Sequence, residues 1–229
     1  MIPYRSLTAT EIATLMANRC AADDWTLVSV EEGFVASRVE AVTFIARVQI
    51  GRNDGTVQLD GLSRPAGIHH AAIADCQIGR NVFINRIGSL LNNIHIADQV
   101  IIGEVVLLKA EKNAGFGMGV KVEVLNEAGG RTIALHDELN SQNAYLQALY
   151  RHDSVLQERL QSLVSQRISE RSSDHAIIET GVVIRCCRSI INTHIGAYAQ
   201  LQGVSTLENG TILSCQEDPT RVGTDVVAR

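Results

Sequence analysis

Seven histidines, five cysteines and two glycine-rich runs are the residues of this 229-residue sequence whose types and spacing could do chemistry. His69, His70, His95 and His194 lie in or near a run of aliphatic repeats. An open catalytic zinc site needs three protein ligands, and these histidines show no ligand-like spacing, so no metal is expected. His95 directly precedes Ile96 and His194 directly precedes Ile195. If the isoleucines face a core, both imidazoles face outward. Gly115, Gly117 and Gly119 alternate, and Asn126, Gly129, Gly130 and Arg131 follow shortly after. Backbone amides in such runs, with a guanidinium beside them, can hold a phosphate. The same runs also serve as plain turns. Asn126, Arg131 and His194 are therefore candidate ligand-binding residues. Tyr145, Tyr150 and Arg151 could line a pocket, although Tyr and Leu at helical spacing more often pack. Cys20, Cys76, Cys186, Cys187 and Cys215 are odd in number and lack CxxC spacing, which reads as reduced, cytoplasmic thiols. Cys76 sits at a small inward position and reads as core.

The elements that must position these groups are dominated by residues 76–108. Ile78, Ile84, Leu90, Ile96, Ile102 and Leu108 recur every six positions, and Val82, Ile94, Val100 and Val106 follow four places behind most of them. Six is neither the helical nor the plain strand period, so the repeat itself is the signal. Three hexads return to the same place after 18 residues, as a triangular coil of parallel strands stacked at about 4.8 Å would require.

This pattern resembles the hexapeptide repeat of left-handed parallel β-helices, a superfamily with sugar and amino-acid acyltransferases and zinc carbonic anhydrases among its members. More narrowly, Phe116-Gly-Met-Gly119 through Arg131, followed by a helical stretch, resembles a family of large bacterial hexapeptide-repeat proteins of unknown function. The resemblance implies an all-β solenoid, a left-handed parallel β-helix with an N-terminal helical cap and an inserted α-helical hairpin. It implies a transferase-like activity, acyl transfer from acyl-CoA to a sugar-nucleotide-type acceptor. His95 would be the general base on the acceptor, since His95-Ile96-Ala97 is similar to a stretch of sugar-nucleotide O-acyltransferases. Asp98 stands where that family carries its acting histidine. No pair of histidines has the five-residue separation of the zinc enzymes. A homotrimer is implied as well. The alternative is a noncatalytic scaffold or interaction protein, a piece of a longer chain.

The rest of the sequence fits around this block. Thr8 and Glu11 form a capping-box pattern opening a helix to about residue 18. Residues 52–67 break the repeat with Asn53-Asp54-Gly55, Gly61 and Pro65, as a loop or hairpin would. Residues 137–171 carry Leu139, Leu146, Leu149, Leu156, Leu160 and Val164 at helical spacing without Gly or Pro, with Ser154 expected to cap a second helix. The expected units are a lead-in cap (1–36), a first strand block (37–135), a helical hairpin (136–172) and a second strand block (173–229). Hexads still run near the C-terminus, so a longer native chain is expected. Net charge is −5, which leaves no nucleic-acid footprint. No apolar run is long enough to span a membrane.

Overall fold

The computed structural model describes residues 3–125 and 127–229. The chain begins with strand β1 (Tyr4–Ser6), helix α1 (Ala9–Ala17), then β2 (Ala21–Ala22), β3 (Val28–Glu31), β4 (Val39–Phe44) and β5 (Val48–Ile50). A hairpin of β6 (Thr56–Leu59) and β7 (Leu62–Pro65) follows. Next come β8 (Gly67–Ala74), β9 (Cys76–Ile78), β10 (Phe83–Asn92), β11 (Ile94–Ile96) and β12 (Ile101–Lys109). Residues 110–175 hold a second hairpin, β13 (Lys121–Glu123) and β14 (Thr132–Ala134), and helices α2 (Ser141–Leu149) and α3 (Ser154–Arg171). The chain continues with β15 (Ala176–Ile178), β16 (Val183–Arg185), β17 (Ser189–Ile195), β18 (Gln200–Gln202), β19 (Thr206–Ile212), β20 (Arg221–Val222) and β21 (Val227–Ala228).

The expected left-handed parallel β-helix is corrected by the strand pairing. Seventeen strands join in one large mixed sheet, with two small hairpins beside it and few helices, and no handed solenoid is defined. β1 pairs antiparallel with β3, while the other pairings of the large sheet are parallel. The physical reason lies in the long strands. Arg86, Glu104, Asn192 and Asn209 sit inside β10, β12, β17 and β19 with φ between 49° and 58°. One left-handed residue bends a strand while its pairing resumes on the far side. The hydrogen-bond ladder therefore runs on where six-residue sides would have separated it.

Register explains which residues are buried. Ile68, Ile84, Ile102, Ile184 and Leu201 are successive parallel partners, and all are buried. Phe44, Ile73, Leu91, Leu108, Ile190 and Leu207 form a second such column. Here the sequence reading is one residue off. Leu91, not Leu90, enters the core, and Val105 is buried where Val106 was expected. The pairing of β10 with β12 shifts between Ile87 and Leu90, just past the bend at Arg86. Cys76 is buried, and burial pushes its thiol up to about 12.

Helix α1 is opened by Thr8, which accepts from the Glu11 amide at 3.2 Å while Glu11 accepts from the Thr8 amide at 2.8 Å. Leu15 fixes it to the core, but Met16 is exposed. The cap of α3 is Asp153, which accepts from Leu156 N–H at 2.9 Å, one residue before the expected Ser154. Residues 110–175 are looped out between adjacent strands, because Ile96 pairs with Ile178 on one side and Ile78 on the other. An antiparallel bridge between Ala114 and Ser173 closes the neck of this insert. Among the described residues, no helix is long and apolar enough to cross a membrane.

Candidate functional site

The ladder through β5, β9, β11, β15, β17 and β19 turns alternate residues outward. Gln49, Gln77, His95 and Ile177 are level with one another, and His194 and Thr211 continue the column. His95 and His194 thus share one outward row, as the spacing suggested, but Ile177 stands between them. At about 4.8 Å per strand they are two strands apart.

The two histidines sit in different surroundings. His95 is exposed and stacks on His175, ring centroids 4.3 Å apart and planes 21° apart. Partial burial, and then the neighbouring His175, lower its pKa, so the imidazole is neutral at pH 7. Neither of its ring nitrogens has a hydrogen-bond partner among the described residues. His175 carried no signal in the sequence, because its position opposite His95 depends on where the insert ends.

His194 is instead locked in place. Its Nδ1 accepts from Ile177 N–H at 2.8 Å, and Arg171 lies beside the ring. The ring stacks on buried Phe116 at 3.5 Å. Burial pushes its pKa down to about 4, with the Arg171 charge adding to the effect. The Gly115–Gly119 run is what brings Phe116 there. Gly117 has φ +79°, and a Cβ on it would lie 2.5 Å from the Asn209 carbonyl oxygen. The Phe116 carbonyl accepts from the Thr211 hydroxyl at 2.8 Å. This run therefore straps the insert onto the sheet.

A cavity of 190 Å³ opens beside His194, bordered by Met118, Asp137, Arg171, Glu179 and Ser214. Asp137 is buried between Arg167 (2.9 and 2.8 Å) and Arg171 (2.8 Å). Burial alone would raise its carboxyl, but the two guanidiniums more than offset this and its pKa is lowered. Glu179 accepts from the Ala197 amide at 2.9 Å. Asp137 and Arg171 are thus engaged with each other, and Glu179 with a backbone amide. Asp137, Arg167 and Arg171 were not singled out in the sequence, where they read only as charges on a helical stretch.

Arg131 stands elsewhere. It directly precedes β14, and its backbone N–H donates to Glu123 at 3.1 Å within the β13–β14 hairpin. It does not border the cavity beside His194. Asn126 lies outside the described residues. Among the described residues, no group of three or more His, Cys, Asp or Glu could hold a metal ion.

Residues 4–229 match the family model of a domain of unknown function, DUF4954. The chain belongs to the DUF4954 family. It is similar to an uncharacterised protein of Treponema pallidum (strain Nichols), 28% identical over 235 residues. That match covers 97% of this chain and 32% of the relative, so the DUF4954 chain spans about a third of that protein's length. The resemblance to hexapeptide-repeat acyltransferases is corrected accordingly. DUF4954 is the family shown, and a six-residue aliphatic spacing reports strand register without reporting ancestry or chemistry.

Proposed function

We propose that this chain is a noncatalytic interaction framework within a longer protein, with further copies of itself as the favoured partner. The observation that carries this reading is the solvent side of the insert. Tyr145, Leu149 and Tyr150 on or beside α2, and Val155 and Leu163 on α3, are exposed. Tyr145 and Tyr150 are in ring contact at 5.8 Å, and Tyr150 and His152 at 5.7 Å. Clustered apolar side chains on a surface favour association. The polar groups add support: His194 is bonded on its ring, Asp137 is held by two arginines, and Arg131 sits on a separate hairpin. Closed cyclic symmetry, with a trimer favoured, is the proposed assembly. Exposed free thiols at Cys186 and Cys215 suit a reducing compartment such as the cytoplasm.

Light scattering on the wild type and on a Val155→Glu, Leu163→Glu variant tests this. The wild type is expected at the mass of several copies and the variant at a lower one. A single-copy wild type at every concentration, or a variant of unchanged mass, sinks the reading.

A second reading is acyl transfer from acyl-CoA to a sugar-nucleotide-type acceptor, with His95 as base. The neutral, unbonded imidazole of His95 favours it. It predicts thiol release from acetyl-CoA in the presence of a UDP-sugar, lost in His95→Ala. Release at the rate of the buffer alone removes it.

A further inference from the structure

A cavity of 480 Å³ lies between the β13–β14 hairpin and the facing sides of α2 and α3. That size falls within the range of about 300–1,000 Å³ typical of small-molecule sites. Ile133, Val164 and Ile168 give it an apolar wall. Gln147 also borders it. This residue is only 9% exposed, and its side-chain amide, free of hydrogen bonds to the described residues, is accessible from solvent at the cavity. A polar group that faces a cavity without a protein partner can bond a molecule that enters it.

The charged groups at the rim narrow the choice. Lys121 and Glu158 both line the cavity, and neither has an ion-pair partner among the described residues, not even each other. Arg151 gives one N–H to the Thr132 carbonyl at 2.7 Å and keeps the rest of its fork free. Gln157 offers no donor, since its Nε2 is spent on the carbonyls of Leu146 and Tyr150. It fixes the junction of α2 and α3 instead. One wall is therefore apolar, one buried group can both donate to and accept from an amide, two cations can take a carboxylate, and one anion can take an ammonium.

We propose that this cavity binds a dipeptide-sized zwitterion with an apolar side chain. Its peptide bond pairs with the Gln147 amide, its carboxylate with Arg151 and Lys121, and its ammonium with Glu158. The apolar side chain lies against Ile133, Val164 and Ile168. A simple anion would leave Gln147 and Glu158 unused, and an apolar ligand would leave both of them and the cations unused.

Isothermal titration of the full chain tests this, with Ala-Leu, N-acetyl-leucine, Ala-Leu amide and inorganic phosphate as probes. Ala-Leu is expected to bind saturably. Blocking the amine or the carboxylate is expected to weaken binding at least tenfold. Glu158→Gln should weaken Ala-Leu yet leave N-acetyl-leucine unchanged, a split that a general loss of structure cannot produce. Gln147→Leu should weaken both, with a melting temperature close to that of the wild type. If Gln147→Leu does not fold, the Glu158→Gln split decides alone. Absence of dipeptide binding at millimolar concentration overturns the proposal. So does phosphate binding as tight as Ala-Leu, or Ala-Leu binding that is indifferent to Glu158→Gln.

Discussion

The sheet between β8 and β12 and the insert at residues 110–175 are held in place by opposite means. In the sheet, each strand adds one more aliphatic side chain to a column whose neighbours are already apolar. Ile68, Ile84, Ile102 and Ile184 are all buried and directly stacked. In the insert, Ile133, Ala148 and Val164 are among the few buried apolar side chains of the hairpin and helices. That segment is fastened instead by polar clamps. Asp137 bridges to Arg167 and Arg171. Asn192, buried on the sheet, accepts from the Glu111 amide at 2.7 Å and donates to Asn209 at 3.1 Å. His194 reaches the last turn of α3. Apolar columns gain from every residue added and are cooperative, whereas polar clamps act one by one and respond to pH.

The sharpest way to break this contrast is in the columns. Ile102→Ala removes a fully buried side chain with stacked neighbours on both sides, and about 2–5 kcal/mol of stability should go with it. Denaturant unfolding should show a lower midpoint for the whole sheet. A loss confined to a local segment would mean that the columns do not act as a unit.

Second in size is a change at the corners of the strands. A Cβ at Gly79 would lie 2.6 Å from the Ala97 carbonyl carbon and 2.6 Å from the Asp98 carboxylate, so Gly79→Ala forces backbone apart and should cost about 1–3 kcal/mol. A Cβ at Gly103, inside β12, meets nothing within 4 Å, and Gly103→Ala should be close to neutral. Equal melting temperatures for the two variants would contradict the packing of the Gly79 corner against the next strand.

The same contrast explains how much was legible in the sequence. The aliphatic spacing from Ile78 onward marked the stacked residues, because side chains must match from one strand to the next. It did not reveal that the bends at Arg86 and Glu104 leave the sheet continuous. A left-handed φ at Arg or Glu has no sequence signature of the kind glycine gives. The same bends moved the buried position from Leu90 to Leu91. At the candidate site, the outward direction of His95 and His194 was readable, since each precedes an inward isoleucine. Their different states were not. His175 and Phe116 reach them from the insert, and Arg171 reaches His194 from a helix whose docking depends on contacts distant in sequence. The Gly115–Gly119 run was visible, but its use became clear only from the Asn209 carbonyl lying against Gly117.

A pH series on the clamp at His194 is expected to show the next effect. Its folded pKa of about 4 lies below the ordinary value of 6.5. The unfolded chain therefore takes up a proton first as pH falls. The contribution is fully present above pH 6.5, shrinks as pH drops toward 4, and is gone below that. For a half-exposed ring, solvent screening reduces the effect to about 1–2 kcal/mol. Melting temperatures between pH 4 and 7 should slope upward for the wild type. His194→Phe, which keeps a ring against Phe116 but cannot titrate, should show a shallower slope at a lower overall stability. Parallel slopes would assign the pH response to other groups.

The smallest effect is expected on the outer side of α3. Leu163 is 63% exposed in the single chain. Leu163→Ala should change the unfolding free energy by no more than about 0.5 kcal/mol in a monomer, as surface substitutions usually do. In an assembly built through this face, the same substitution should lower the stability in a concentration-dependent way, because association adds to the folded state by mass action. Melting curves at two protein concentrations a hundredfold apart separate the cases. A concentration-dependent loss places Leu163 at a contact between copies. A small loss that is the same at both concentrations leaves α3 as a polar-clamped surface helix and removes the main support for self-association through the insert.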